Sequence, residues 1–405
     1  MPSRCPVWSA VTLLFVSGCA FVGAPGSNVR GCYPNPGSPP PAASEPPLTR
    51  FIAMGDFGSG ESGNNRAVAT AMERFVAAAD PRPERAFELG DNFYDHGLLG
   101  ADASCWDVPV PQQITAHALA VLQPFEFLRD RAIPLTAIPG NHDYGCSGRG
   151  LTNQFDIDRW LPAPHRWGDR WQLIAGPPQE VILGNGAVQV ITLDSYRMIG
   201  EDRFRTESAA RLEDLLRAGR DRYRWQVVAT HHPLQTNGAH DGAWWKGTVP
   251  KLFSFLLFPS HALAAAQIPP FDFLNEGAYA VRYTYYRRAV EAAVQRSGAS
   301  VAVVLAGHDH DLQLLAPSVT GGPFTLVSGS AARCTPVRAR SDTLFASGQH
   351  GFAVVTAYAS HLDVAFVGTS GCATRTTCGG AADGLPHVLF GHRIPRPAGR
   401  GLPAG

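Results

Sequence analysis

The chain of 405 residues is long enough for one large domain or two smaller ones, at about 150 residues per domain. Its 34 Lys and Arg balance 34 Asp and Glu, so no net field draws it to nucleic acid, and a nucleic-acid-binding role is disfavoured. Hydrophobic residues make up 45% and charged residues 17%, with 42 Gly and 33 Pro; this excludes a wholly disordered chain and a long coiled coil, and it points to many turns.

Arg4 precedes an apolar run from Val7 to Val16, and small residues follow, which is the layout of an export signal. That run is about half of the roughly 20 residues needed to span a bilayer, so it is not read as a permanent membrane helix. At its end, Val16-Ser17-Gly18-Cys19 resembles the lipobox of bacterial lipoproteins. The resemblance implies a lipid on Cys19 and a protein anchored to the membrane of the cell envelope, periplasmic or at the surface. An ordinary secretory signal is the alternative. Residues 1–18 are read as the signal peptide and 19–46, poor in large apolar side chains, as an extended tether. With Cys5 and Cys19 set aside, six of the eight cysteines remain (Cys32, Cys105, Cys146, Cys334, Cys372 and Cys378). An even number in an exported chain favours up to three disulfides, and the absence of a CxxC spacing speaks against a Cys-based metal site.

Beyond the tether, short apolar runs alternate with helical periodicity. Strands are expected at Arg50–Met54, Ala86–Leu89, Ile133–Ile138, Val188–Leu193, Trp225–Ala229 and Val301–Ala306, and helices at Asn65–Ala79, Glu207–Ala218 and Tyr285–Arg296. The strand runs lack clean alternation, as in sheets covered on both faces, and each stops at a polar cluster. The C-terminal ends of such strands are where open α/β folds place ligands. We therefore expect a single layered α/β domain over residues 47–368, then a Gly-rich tail over 369–405.

Taken singly, these clusters are ordinary: Gly-Asp is a common turn, and paired histidines occur on surfaces. Together they offer carboxylates, an amide oxygen, a phenol and imidazoles in order at successive strand ends, a donor set suited to hard or borderline metal ions. The segments Gly55-Asp56-Phe57-Gly58, Gly90-Asp91-Asn92-Phe93-Tyr94, Gly140-Asn141-His142-Asp143, Ala229-Thr230-His231-His232-Pro233 and Gly307-His308-Asp309-His310 resemble those of the calcineurin-like metallophosphoesterases, and specifically the purple (tartrate-resistant) acid phosphatases. The similarity covers roughly residues 49–367. It implies a layered β-sandwich flanked by helices.

The resemblance makes Asp56, Tyr94 and His310 ligands of one metal and Asn141, His231 and His308 ligands of the other, with Asp91 bridging. The superfamily often has a His two residues after its first Asp. Gly58 stands there, and Tyr94 is the replacement used by the purple branch. A phenolate with two carboxylates favours Fe(III) at the first site; the second suits Zn(II), Fe(II) or Mn(II). The implied reaction is hydrolysis of a small phosphate monoester by a metal-bound hydroxide, with His142 and His240 as catalytic imidazoles. A phosphodiesterase acting on lipid headgroups or nucleotides, and a non-catalytic surface binding lipoprotein, are the alternatives. His232 is placed beside the ligands, and Asp95 and His96 at the pocket rim.

If the loops after Asp91 and Asn141 converge on the metals, Cys105 and Cys146 meet at one rim and pair. Cys372 then pairs with Cys378, and Cys32 is left for Cys334. The apolar insertion over residues 243–277 reads as a packed hairpin or short helix, with a lid or membrane-facing ridge as the alternative.

Overall fold

Strand boundaries follow the apolar runs closely, whereas the helices expected from Glu207 and Tyr285 begin earlier, at Asp202 and Asp272. The computed structural model describes residues 44–60, 64–108, 110–238, 240, 272–371 and 387–396, and two short strands at 28–29 and 32–33. The signal peptide with Cys19, most of the tether, residues 243–271 of the insertion and the Cys372–Cys378 pairing lie outside the described residues, as does the side chain of Cys32.

Seventeen strands are described, β1 to β17 in chain order. One sheet has the order β2 (Cys32–Tyr33), β14 (Thr343–Ser347), β11 (Leu312–Leu315), β12 (Phe324–Ser328), β10 (Val301–Ala306), β9 (Trp225–Thr230), β8 (Val188–Leu193), β7 (Gln179–Leu183). The other runs β17 (His387–Pro395), β16 (His361–Gly371), β15 (Gln349–Ala357), β3 (Thr49–Met54), β4 (Arg85–Glu88), β5 (Leu135–Ala137), β6 (Trp171–Leu173). A small ribbon pairs β1 (Asn28–Val29) with β13 (Val337–Arg338). In the first sheet β8, β9, β10 and β12 are parallel. In the second, β3 to β6 are parallel and β15 to β17 form an antiparallel flank.

Period-two side-chain direction explains the continuous apolar runs. Phe51 and Ala53 of β3 face the other sheet, meeting Val190, Val227 and Leu305, while Ile52 and Met54 face outward onto helices α1 (Asn64–Ala78) and α2 (Pro111–Leu122). Val228 and Val304 likewise turn outward onto α3 (Ser195–Gly200), α4 (Asp202–Gly219) and α5 (Asp272–Ser297). The central strands of both sheets are thus buried on both faces, giving a single mixed α/β domain with two helix-flanked sheets, as expected from the resemblance.

Two domain boundaries also differ from the expectation. Part of the segment read as tether pairs with the body: β1 and β2 lie antiparallel on β13 and β14. Two-residue strands carry no periodicity, so composition alone reads them as spacer. The sequence reading also ended the domain at 368, yet β16 continues to Gly371 and β17 adds a final strand to its edge. Cys105 and Cys146 form a disulfide, with Cα atoms 4.8 Å apart, as the convergence argument required. Cys334 is disulfide-bonded as well.

One buried group makes the core sensitive to acid. His117 on α2 is 3% exposed and packs edge-on against Phe93. Burial drives its imidazole down to about 4, against a weaker opposing pull from a backbone hydrogen bond with Gly58. The unfolded chain takes up this proton below about 6.5, but the folded chain does so only near 4, so stability present above 6.5 is lost as pH falls through that window. His117→Phe should flatten the dependence of unfolding free energy on pH between 6.5 and 4; an unchanged slope would assign the acid sensitivity to other groups.

Candidate metal centre

Five strands deliver the site. β3, β4 and β5 are neighbours in one sheet, β9 and β10 in the other, and the loops leaving their C-terminal ends meet where the two sheets face each other. Asp56 follows β3, Asp91 and Tyr94 follow β4, Asn141 and His142 follow β5, His231 follows β9, and His308 and His310 follow β10.

The backbone turns sharply at the first expected ligand of three of these loops. Asp56, Asp91 and His308 have φ of 61°, 59° and 70°, left-handed values that cost a non-glycine residue about 1–3 kcal/mol and that cluster at functional sites. Gly90 (φ 99°) must be glycine, because a Cβ there would stand 2.5 Å from His231 Nδ1. Gly58 also has no room for the imidazole that the wider superfamily carries: a Cβ would lie 2.6 Å from the Phe93 nitrogen.

The contacts link all seven residues expected as ligands. The Tyr94 hydroxyl donates to Asp56 Oδ1 at 2.8 Å and lies 3.2 Å from His310 Nε2, which is 3.4 Å from Asp56 Oδ1. Asp56, Asp91 and His310 each offer an atom within 4.8 Å of the others. On the other side, His231 Nε2 is 3.1 Å from Asn141 Oδ1, 3.3 Å from His308 Nδ1 and 3.4 Å from Asp91 Oδ1. Asp91 is therefore the residue common to both groups. His231, His232 and His308 form a second cluster of potential donors. The His232 Nδ1 is 2.8 Å from the Ser195 hydroxyl, and its ring packs 4.4 Å from that of His308, so it also walls the site.

The donor chemistry fits metal ions. His231 Nδ1 faces the Leu89 carbonyl at 2.8 Å; a carbonyl only accepts, so Nδ1 carries the proton and Nε2 presents a lone pair to the pocket. Burial, aided by neighbouring imidazoles, pushes His308 and His232 well down, leaving them neutral, as ligands must be. Asp56 and Asp91 are 0% and 1% exposed, and no Lys or Arg pairs with either among the described residues. Buried carboxylates without a cation are costly. Burial pushes the Asp91 carboxyl up, yet its interactions with the His231 and His142 imidazoles and with the His142 backbone N–H outweigh it and hold it low. Burial and the charges of Asp56 and Asp91 hold the Tyr94 phenol well above its usual range when no cation is near.

The two histidines expected to be catalytic also border the pocket. His142 Nδ1 lies 2.8 Å from the Asp95 carbonyl, its Nε2 is 4.0 Å from Asp91 Oδ2, and its ring stands edge-on to Tyr94. His240 packs against His308 and His310, with ring centroids 4.8 and 5.4 Å away. Asp309 Oδ1 accepts from the His240 backbone N–H at 2.7 Å and lies 3.3 Å from its Nδ1. Burial acts to lower the His240 imidazole, but the Asp309 hydrogen bond and charge raise it overall.

Two supporting residues were missed from sequence although both sit inside the quoted motifs. Asp309 is one. Asp143 is the other: fully buried, it accepts from Asn92 N (3.1 Å), Phe93 N (3.2 Å), Gly140 N (2.8 Å) and Gln154 Nε2 (2.9 Å), clipping the β4 loop to the β5 loop. Burial, with Asp91 nearby, pushes its carboxyl up to about 7. Adjacency to a ligand was the only sequence signal. Asp143→Ala should orphan three backbone donors, lower stability by about 3 kcal/mol or more, and weaken metal affinity by about 10–100-fold, as loss of such supporting groups does. Metal titration and thermal melting check both; unchanged metal affinity would reduce Asp143 to a folding role.

The calcineurin-like phosphoesterase family profile matches residues 49–312, more than half of the chain. No curated protein sequence matches this chain. Among solved structures it resembles GAP50, the anchor in the inner membrane complex of Plasmodium (13% identity, 86% of this chain and 89% of that chain, TM-score 0.56), and PhoD (12% identity, 89% and 72%, TM-score 0.49). At such identities the first likeness speaks to the fold alone. The chain therefore belongs to the calcineurin-like phosphoesterase family and is a metal-dependent phosphoesterase.

Proposed function

We propose that the protein is a phosphomonoesterase of the purple acid phosphatase type, with Fe(III) held by Asp56, Tyr94, His310 and Asp91, and Zn(II), Fe(II) or Mn(II) held by Asn141, His231, His308 and Asp91. The observation that carries this reading is the Tyr94 hydroxyl, 2.8 Å from Asp56 and 3.2 Å from His310, in a site where Gly58 leaves no room for an imidazole. A phenolate is a hard anionic donor, and beside two carboxylates it suits a trivalent ion. When bound, two such ions supply the Lewis acidity that activates water and offsets phosphoryl charge.

The chain's own side chains supply proton transfer and orientation. His142 has its Nδ1 proton committed to the Asp95 carbonyl. In the protonated ring the second proton would sit on Nε2, the nitrogen facing Asp91, placed to pass to the departing ester oxygen. His240, with Nδ1 toward Asp309, directs Nε2 into the pocket as a donor to a phosphoryl oxygen. Because Asp309 raises its proton affinity, His240 remains a donor to higher pH than a free imidazole would.

Tyr94→Phe separates this reading from a centre holding only divalent ions. The iron-loaded wild type should be purple or pink through phenolate-to-iron charge transfer, and the variant colourless in its visible spectrum. A colourless wild type fully active with divalent metal alone would overturn the Fe(III) assignment. His142→Ala should retain both metals and lose about two to four orders of magnitude in turnover; loss of a metal instead would make His142 a ligand.

A further inference from the structure

Arg333, five residues beyond β12, reaches the rim of the metal pocket from a part of the chain that contributes none of the expected ligands. Its Nε donates to the Ser59 hydroxyl at 2.7 Å and its Nη2 to Asp95 Oδ1 at 2.9 Å. Its guanidinium carbon stands 3.7 Å from the centroid of the Tyr94 ring. Three anchors, from the loops after β3 and β4, thus fix the plane of the group. Nη1 has no hydrogen-bond partner among the described residues, and the side chain keeps 37% of its surface exposed. Stability does not explain the arrangement, since Asp95 is 59% exposed and rim ion pairs in water contribute little.

We propose that Arg333 is a specificity-determining residue, which donates from its free Nη1 edge to a terminal oxygen of the substrate phosphate and favours dianionic monoesters over diesters. This rests on the phosphomonoesterase reading of the same pocket. A phosphate monoester has three terminal oxygens and a diester two. With two terminal oxygens facing the metal side, only the monoester has a third, charged oxygen left for a guanidinium. Because Ser59, Asp95 and Tyr94 already hold the fork in place, little ordering remains to be done when the anion arrives. A lysine offers a mobile point charge instead of a fixed planar fork, so it should replace Arg333 only in part.

Arg333→Gln and Arg333→Lys test this on the metal-loaded enzyme, with three readouts: the inhibition constant of inorganic phosphate, kcat/KM for an aryl phosphate and for a diaryl phosphate with the same leaving group, and metal content. Arg333→Gln should weaken phosphate binding by about 10–100-fold, as expected for loss of a charge-assisted hydrogen bond. The monoester-to-diester selectivity ratio should fall by a comparable factor with both metals retained, and Arg333→Lys should be intermediate. Equal losses on both esters with unchanged phosphate inhibition would overturn the proposal and leave Arg333 as a strap between loops. A wild type that cleaves diesters but not monoesters would refute the monoesterase reading separately, because phosphate inhibition still reads the Arg333 contact.

Discussion

Two carboxylates, Asp56 and Asp91, lie buried between the sheets with no Lys or Arg beside them among the described residues, and the rest of the site is organised around that charge. A lone carboxylate in such a place would take up a proton or pull in water. Here the surroundings keep both oriented. The His308 backbone N–H binds Asp56 Oδ2 at 2.8 Å, the His142 N–H binds Asp91 Oδ1 at 2.9 Å, and the imidazoles facing Asp91, those of His231 and His142, have Nδ1 against the carbonyls of Leu89 and Asp95. Left-handed backbone at both aspartates adds strain that the packed sheets must absorb. Multivalent cations relieve this arrangement most directly, which is why the constellation reads as a metal centre.

Position is inherited from the sheets. β3, β4 and β5 run parallel in one layer and β9 and β10 in the other, and every side chain of β9 and β10 is buried, so neither layer can slide without opening the core. The loops are then joined to one another at several points. Asp143 clips the β4 and β5 loops, Asp309 holds the His240 backbone, and the Cys105–Cys146 disulfide ties the rim. Tyr286 on α5 reaches the His232 carbonyl at 2.9 Å, supporting the end of β9 from outside. Substrate-facing groups are thereby mounted on rigid elements although they sit in loops.

Much of this was legible in the sequence because the strands are doubly buried. Val188–Leu193 and Val301–Ala306 are continuous apolar runs with abrupt polar ends, so their boundaries and the residues following them could be read directly. The reading stopped where the physics is non-local. β1 and β2 are too short for any periodicity, and β17, with His387, His392 and Arg393 interleaved among apolar residues, follows a Gly- and Thr-rich stretch that reads as tail. Asp143 and Asp309 look like turn residues until the three-dimensional hydrogen bonds are drawn. Arg333 is 238 residues from Asp95 in sequence and belongs to no recognisable motif.

Anomalous X-ray scattering from crystals of the metal-loaded protein tests the central claim most directly. The account predicts two peaks about 3.5–4 Å apart, with Asp91 between them, Asp56, Tyr94 and His310 around one, and Asn141, His231 and His308 around the other. A single peak, or two peaks that Asp91 does not bridge, would contradict it.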